Sequence, residues 1–148
     1  MLGPSHQLRL LPLLVMVACA GSPPAHLSAP EAMLAPCPSS PNCVSSDADA
    51  DESHHIAALR FSGDAETAWR RVRAAVLALP RTRIVSESAT RLHAECTSAL
   101  LRYRDDLELR LRAERGEIAL RSASRIGYGD MGVNRARVEA LRAGFGYR

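Results

Sequence analysis

The stretch DDLELRLRAERGEIALRSASRI, residues 105–126, decides the fold, because it holds two strands and the tight turn that joins them. In both halves, apolar or small residues alternate with charged ones, which is the period of a strand buried on one side. Arg115–Gly116 falls between the halves, where the chain must turn. We predict an antiparallel hairpin with the inward face Leu107, Leu109, Leu111, Ile118, Leu120, Ser122, Ser124 and Ile126.

Three further segments predict strands beside this hairpin. They are IAALRF at 56–61, RTRIVSES at 81–88 and RLHAECTSALLRY at 91–103. Short connections between the last four strands indicate an antiparallel meander. Within 91–103, Cys96 falls on the apolar side and His93 on the other side, so the two are not expected to form a nucleophile pair.

Two segments predict helices that cover the apolar face. In SGDAETAWRRVRAAVLALP, residues 62–80, Asp64 is placed to cap the helix and Pro80 to end it. The second helix is predicted over Val133–Arg142, with Gly144 at its C-terminal end. Their inward stripes, at helical spacing, are Trp69, Val72, Val76 and Leu79 in the first, and Asn134, Val138, Leu141 and Phe145 in the second.

The predicted element order is β-α-β-β-β-β-α, which is an α+β fold. We expect a single antiparallel sheet of about four to five strands with two helices packed on one face. The length fits one domain, which we place at residues 36–148.

The N-terminus, MLGPSHQLRLLPLLVMVACAGS, indicates an exported protein. Its apolar run, residues 10–20, is too short to span a bilayer and has the length of a signal-peptide core. The end of the run resembles a bacterial lipoprotein signal, which predicts a signal peptide at 1–18 and a lipid such as palmitate on Cys19. The alternatives are an ordinary signal cut near Ala18 or Ala20, and an uncleaved anchor.

Residues 19–35 are rich in Pro, Ala and Ser, which predicts a flexible tether. The expected location is the cell envelope, with the domain lipid-anchored to a membrane and facing the periplasm. The alternative is a secreted soluble protein.

Cys37 and Cys43, in CPSSPNC, predict a disulfide in an oxidising compartment. Closing so short a loop contributes about 2–2.5 kcal/mol in the chain-entropy model. The alternative is a metal pair completed by His54 and His55.

The basic charge is carried by arginine alone, since the chain contains no lysine. From residue 60 onward there are 18 arginines and 11 acidic residues, whereas residues 20–59 contain acidic residues and no arginine. This asymmetry indicates attraction to an anionic surface or ligand, or a leader that folds back on its own domain. Export and the scarcity of aromatic residues argue against nucleic-acid binding.

Four segments together resemble one known family. They are CPSSPNCVSS at 37–46, LHAECTS at 92–98, RDDLEL at 104–109 and RSASRIGYGDMGVNRARVEALR at 121–142. As a set they resemble the bacterial and plastid family called domain of unknown function 1499, from about Ala35 to the C-terminus. The resemblance implies a small envelope or lumenal domain and implies no activity.

The outward face of the predicted sheet is strongly charged. We interpret it as a solvated lattice of cross-strand ion pairs, each worth about 0–1 kcal/mol. The alternative is a shallow site for an anionic ligand around Arg121 and Arg125, which lie about 13 Å apart along a strand. The charged face consists of His93, Glu95, Glu108, Arg110, Glu117, Arg121 and Arg125.

Ser122 and Ser124 stand on the inward face, where buried hydroxyls need partners. Asn134, on the stripe of the last helix, is placed to meet them, and Asp130 to cap that helix. The result is either a filled polar seam or a pocket. The candidate binding residues are Arg121, Ser122, Ser124, Arg125, Asp130, Asn134 and Arg135.

The sequence names no reaction, because phosphate-loop, serine-hydrolase and zinc-protease motifs are absent. It favours a non-enzymatic envelope module that binds a protein partner or an acidic ligand, with no metal and no cofactor. The alternatives are an enzyme of small substrates, with its site between the last strand and the last helix, and a structural envelope protein. The oligomeric state is left open.

Overall fold

The computed structural model describes residues 21–28, 33–48 and 53–146, so the predicted signal peptide and Cys19 lie outside the described residues. The α+β prediction is confirmed, with two helices and a single antiparallel sheet. The sheet has six strands, slightly more than predicted. Within the described residues, no helix combines the length and the apolarity that a membrane span requires.

The strands follow the order β1-β6-β5-β4-β3, and β2 also pairs with β6. Val44 in β1 lies opposite Ser122, and Leu59 in β2 lies opposite Ile118, so two short strands share one edge of β6. With only three residues, β1 is too short for a strand period to reveal it. The strands are β1 (Cys43–Ser45), β2 (Leu59–Arg60), β3 (Thr82–Glu87), β4 (Arg91–Thr97), β5 (Arg104–Arg112) and β6 (Glu117–Ser124).

The hairpin that decides the fold forms as predicted. β5 and β6 pair from Asp105 opposite Ser124 to Arg112 opposite Glu117. Gly116 closes the turn with φ of 59°, and a Cβ at that position would lie 3.0 Å from the carbonyl oxygen of Phe61. A side chain there would therefore strain the backbone and also meet the neighbouring strand.

The helices are α1 (Ala65–Ala78) and α2 (Val133–Phe145). The predicted cap is present, since Asp64 Oδ2 accepts from the Thr67 amide at 2.6 Å. The prediction that Gly144 ends the last helix is wrong. The helix α2 continues to Phe145, and Gly146 takes the left-handed conformation with φ of 73°. The two inward stripes pack with the leucines of β5 and β6 in one core.

Gly144 instead lies where α2 crosses α1, and a Cβ there would be 3.5 Å from the Ala75 Cβ, an ordinary contact. We expect Gly144→Ala to raise the free energy of unfolding by about 0.5–1 kcal/mol, because alanine loses less backbone entropy in a helix. Urea unfolding measures this. Gly146→Ala is the matched control and should destabilise, because its φ is left-handed. Equal effects at both positions would contradict the assignment.

The face of the sheet opposite the helices is covered by the chain that precedes β1. We call residues 21–28 and 33–42 the N-terminal cover. Leu34 is buried, and Cys37 forms the predicted disulfide with Cys43. His26 reaches Glu108 on β5, 82 residues later. The central strands β4, β5 and β6 are therefore buried on both sides over most of their length, whereas the edge strand β3 stays largely exposed.

The disulfide overturns the metal alternative, because neither sulfur is a thiolate. His54 Nδ1 instead lies 2.9 Å from the carbonyl oxygen of Cys43. No group of three or more His, Cys, Asp or Glu side chains is placed to hold a metal ion in the part of the chain that the structure describes.

Candidate functional site

A buried ionic network occupies the face of the sheet beneath the N-terminal cover. The Arg125 guanidinium makes a bidentate contact with Asp106, with Nε to Oδ2 at 2.9 Å and Nη2 to Oδ1 at 2.7 Å. The same Nη2 donates to Glu95 Oε1 at 2.6 Å, and His93 Nε2 lies 2.8 Å from Asp106 Oδ1. The Arg125 side chain is only 1% exposed. We define the ionic network as His93, Glu95, Asp106, Glu108, Arg121 and Arg125.

A second pair extends the network along the strands. Arg121 Nη1 donates to Glu108 Oε1 at 2.9 Å, and His26 of the cover lies 3.1 Å from the same oxygen. Arg121 is 6% exposed, and its Nε is buried without a hydrogen-bond partner in the described residues. Both candidate arginines on this face therefore bind carboxylates of their own chain.

The prediction of a solvated lattice of ion pairs is wrong for this face, because the N-terminal cover excludes water from it. Alternation in the strands correctly separated the two faces but carries no information on what lies above each. Asp106 was not among the predicted site residues. Its position on this face, with Asp105 on the other, follows from the alternation.

Two carboxyl groups of the network have shifted pKa values. Burial acts to raise the pKa of Asp106 and of Glu95, but the hydrogen bonds from Arg125 outweigh it and hold both below their ordinary values. Each group therefore binds fewer protons in the folded protein than in the unfolded chain at mildly acidic pH.

We expect the free energy of unfolding to change little between pH 7 and 5 and to fall below about pH 4, as these two carboxylates become protonated. A lowered folded pKa contributes stability above the unfolded pKa and loses it as pH falls through the folded value. Urea midpoints at stepped pH measure this, and each extra proton bound on unfolding adds a slope of about 1.4 kcal/mol per pH unit. Asp106→Asn should reduce the slope. A main loss of stability above pH 6 would contradict this assignment.

A second polar cluster lies on the other side of the sheet, between β6 and α2, as the sequence predicted. Ser122 Oγ donates to Asn134 Oδ1 at 2.7 Å, and Asn134 Nδ2 donates to Ser124 Oγ at 3.0 Å. Asn134 is fully buried and also donates to the carbonyl oxygen of Asn42. We call Asp105, Ser122, Ser124, Asn134 and Arg137 the polar seam.

Arg137 fills the space beside these groups. Its Nη1 donates to Asn134 Oδ1 at 2.6 Å and to Ser122 Oγ at 3.0 Å, and its Nη2 donates to Asp105 Oδ2 at 2.5 Å. The seam is therefore filled by side chains that bind one another. Sequence reasoning missed Arg137, although its position three residues after Asn134 on α2 was a usable signal.

Asp130 holds the start of α2, as predicted. Its Oδ1 accepts from the Gly132 amide at 3.0 Å and its Oδ2 from the Asn134 amide at 2.8 Å. Burial acts to raise the pKa of Asp130, but the hydrogen bonds from these backbone amides outweigh it and lower the pKa. The carboxylate is thus ionised and occupied.

Cys96 lies in the core beside the seam, on the face predicted for it. Its thiol is buried, and burial raises the pKa of that thiol, so the reactive thiolate is disfavoured. His93 stands on the opposite face of β4, within the ionic network. A nucleophile pair of these two side chains is therefore absent.

The candidate residues thus separate into three places. Ser122, Ser124, Asp130 and Asn134 come together at the seam, whereas Arg121 and Arg125 lie on the opposite face. Arg135 belongs to neither cluster and donates to the carbonyl oxygen of Ser53 at 2.8 Å.

Two open clefts accompany these filled clusters. The first, of about 550 Å³, lies between the N-terminal cover and the strands β3, β4 and β5, and we call it the cover cleft. The second, of about 700 Å³, includes Arg60, Arg135 and Arg142 together with Glu117 and Glu139. The second cleft therefore has mixed charge.

Comparison with known proteins agrees with the sequence resemblance. No curated protein matches the chain. The family model described as protein of unknown function, DUF1499, matches residues 33–145, which include every strand and both helices. The chain therefore belongs to the DUF1499 family.

Proposed function

We propose that this chain is a lipid-anchored protein of the cell envelope whose domain binds a small acidic ligand without catalysing a reaction. The observation that carries the proposal is the contrast between filled polar clusters and an open cleft. The ionic network and the polar seam use their functional groups on one another. The cover cleft keeps about 550 Å³ open beside basic side chains.

The lining of the cover cleft suits a ligand with an apolar part and an acidic head. Leu27 and Leu34 supply apolar surface from the cover, and Val85, 45% exposed, supplies it from β3. Arg91 and Arg110 lie directly opposite each other on β4 and β5. Both side chains line the cleft, so the acidic head of a ligand would lie beside two guanidinium groups.

The acidic residues of the same cleft are already neutralised. Glu87 receives two hydrogen bonds from Arg73, at 2.8 and 3.1 Å. Glu108 binds Arg121 and His26. Both carboxylates therefore already bind basic side chains of the same domain.

Thermal unfolding of the full chain with decanoate tests the ligand class. At ten times the Kd, decanoate should raise the Tm by about 5 °C, whereas decanol and decyltrimethylammonium should not. Arg110→Gln should abolish the shift. Arg70→Gln, an exposed change on α1, is the matched control and should retain it. The acidic-ligand proposal is contradicted if decanoate does not raise the Tm, or if the cationic analogue raises it equally.

The lipid anchor has its own test. Mass spectrometry of the mature protein should find acyl mass on Cys19, and Cys19→Ala should remove it. An unmodified N-terminus at Ala20 or Gly21 would contradict the lipid anchor and indicate ordinary secretion. The ligand proposal would not be affected, because the decanoate experiment tests it separately.

A further inference from the structure

One end of the sheet carries loops that differ from the rest of the surface. The β4–β5 connection, residues 98–103, lies there, because Thr97 pairs with Arg104. The segment after β6 lies beside it, since the Arg125 amide donates to the Arg104 carbonyl at 3.2 Å. The α1–β3 connection joins them through the Thr97 amide and the Arg81 carbonyl. We call residues 79–81, 98–104 and 126–133 the loop end.

The loop end exposes large apolar side chains at the tips of two neighbouring loops. Met131 is fully exposed and Leu100 is 89% exposed. Aliphatic and tyrosine side chains together are typical of segments that enter the interface of a bilayer. The exposed apolar residues of the loop end are Leu100, Leu101, Tyr103, Tyr128, Met131 and Val133.

The charge of the loop end is suited to an anionic surface. Arg81, Arg102 and Arg104 are exposed there. Asp130 is the acidic residue of these segments, and its carboxylate is held by the amides that begin α2. Arginines beside apolar tips can place their stems in the interface and their guanidinium groups on lipid phosphates.

The backbone holds these tips in strained conformations. Arg81, Arg102 and Met131 have φ values of 51°, 53° and 53°, and they are the described non-glycine residues with positive φ. Each of these backbone conformations lowers the stability of the fold by about 1 kcal/mol. All three lie at the loop end.

The chain also enters the domain at this end. The Gly21 backbone packs on Arg125 and Ile126, since a Cβ at Gly21 would lie 3.0 Å from the Arg125 Cβ and 3.2 Å from the Ile126 Cγ2. Cys19 is two residues earlier, so its Cα is within about 8 Å of the Gly21 Cα. A lipid on Cys19 would therefore be attached at the end of the domain where Ile126 begins the last segment of the loop end.

We propose that the loop end docks onto an anionic bilayer, with Leu100, Leu101, Tyr128 and Met131 in the interface and Arg81, Arg102 and Arg104 on lipid phosphates. The orientation rests on the lipid anchor of the proposed function. The cover cleft, lined by the first residues of β4 and the last of β5, then faces away from the bilayer.

Depth-dependent fluorescence quenching tests the docking. A genetically encoded fluorescent amino acid is placed at position 100, 131 or 70 of the full chain, which is reconstituted in vesicles of two parts phosphatidylcholine to one part phosphatidylglycerol. Spin-labelled lipid should quench the probes at 100 and 131 severalfold more than the probe at 70, an exposed position on α1 outside the loop end and the cover cleft. Equal, weak quenching at all three positions overturns the proposal.

Two variants separate the apolar contribution to docking from the electrostatic one. With the probe at 131, Leu100→Ser combined with Leu101→Ser should lower the quenching severalfold, and Leu77→Ser, a similarly exposed position on α1, should not. Arg102→Gln should lower it by about fivefold in these vesicles and little in pure phosphatidylcholine. Equal effects of the loop and α1 variants count against the docking face. Cys19 found without acyl mass but with quenched loop probes would remove the anchor and leave the docking in place.

Discussion

Replacing Arg125 with Leu should lower the free energy of unfolding by about 3–5 kcal/mol, because it removes one partner of a buried ion pair. Asp106 and Glu95 would lose three hydrogen bonds from the Arg125 guanidinium, and both carboxylates would stay buried under the N-terminal cover. Urea unfolding followed by circular dichroism at pH 7 measures the loss.

The matched control is Arg73→Leu on α1. Arg73 also makes a two-point contact with a carboxylate, Glu87, but both side chains are well exposed, at 45% and 42%. Solvent screens such pairs, so no measurable change is expected there. If both variants lost a similar amount of unfolding free energy, burial beneath the cover would not be the reason that the ionic network stabilises the fold.

Asn134→Ala should have the second-largest effect, a loss of about 3 kcal/mol from unpaired buried groups and a small cavity. Five contacts end on this amide, including those of Ser122, Ser124 and Arg137. Urea unfolding measures the loss. Val133→Ala, the neighbouring exposed position, should change stability by less than about 0.5 kcal/mol.

Asn134→Asp distinguishes hydrogen bonding from packing. The two side chains have the same shape, but the variant loses the Nδ2 donor and places a second carboxylate 2.7 Å from Asp130 Oδ2. Protonation of either carboxyl relieves the repulsion, so the deficit relative to the natural chain should shrink as pH falls from 7 to 4. A deficit independent of pH would assign the effect to packing alone.

The burial of residues that follow a strand or helix period was predictable from the sequence. Contacts with segments far away along the chain were not. The leucines of β5 revealed the inward face, and Ser122 and Ser124 on that face required a partner such as Asn134. The disulfide followed from two nearby cysteines in a chain predicted to be exported. The end of α2 was misjudged by two residues because two glycines, Gly144 and Gly146, lie close together and only the backbone conformation tells them apart.

The N-terminal cover shows the opposite case. Pro, Ala and Ser in this part of the chain indicate a tether, and nothing local indicates that His26 lies against Glu108 or that Gly21 packs on Arg125. The interpretation of the charged face failed for this reason. Its side chains were correctly assigned to one surface, but the residues that bury them are about 80–100 positions away.

That separation also orders the assembly of the domain in time. At about 5–20 residues per second, Arg125 is synthesised several seconds or more after Gly21, which it contacts across 104 positions. The helices and the β3–β6 meander form from neighbouring segments, whereas the cover joins residues about 80–100 positions apart and is expected to dock late. Until it docks, the carboxylates and guanidinium groups beneath it remain hydrated, so completion of folding coincides with dehydration of the sheet's charged face.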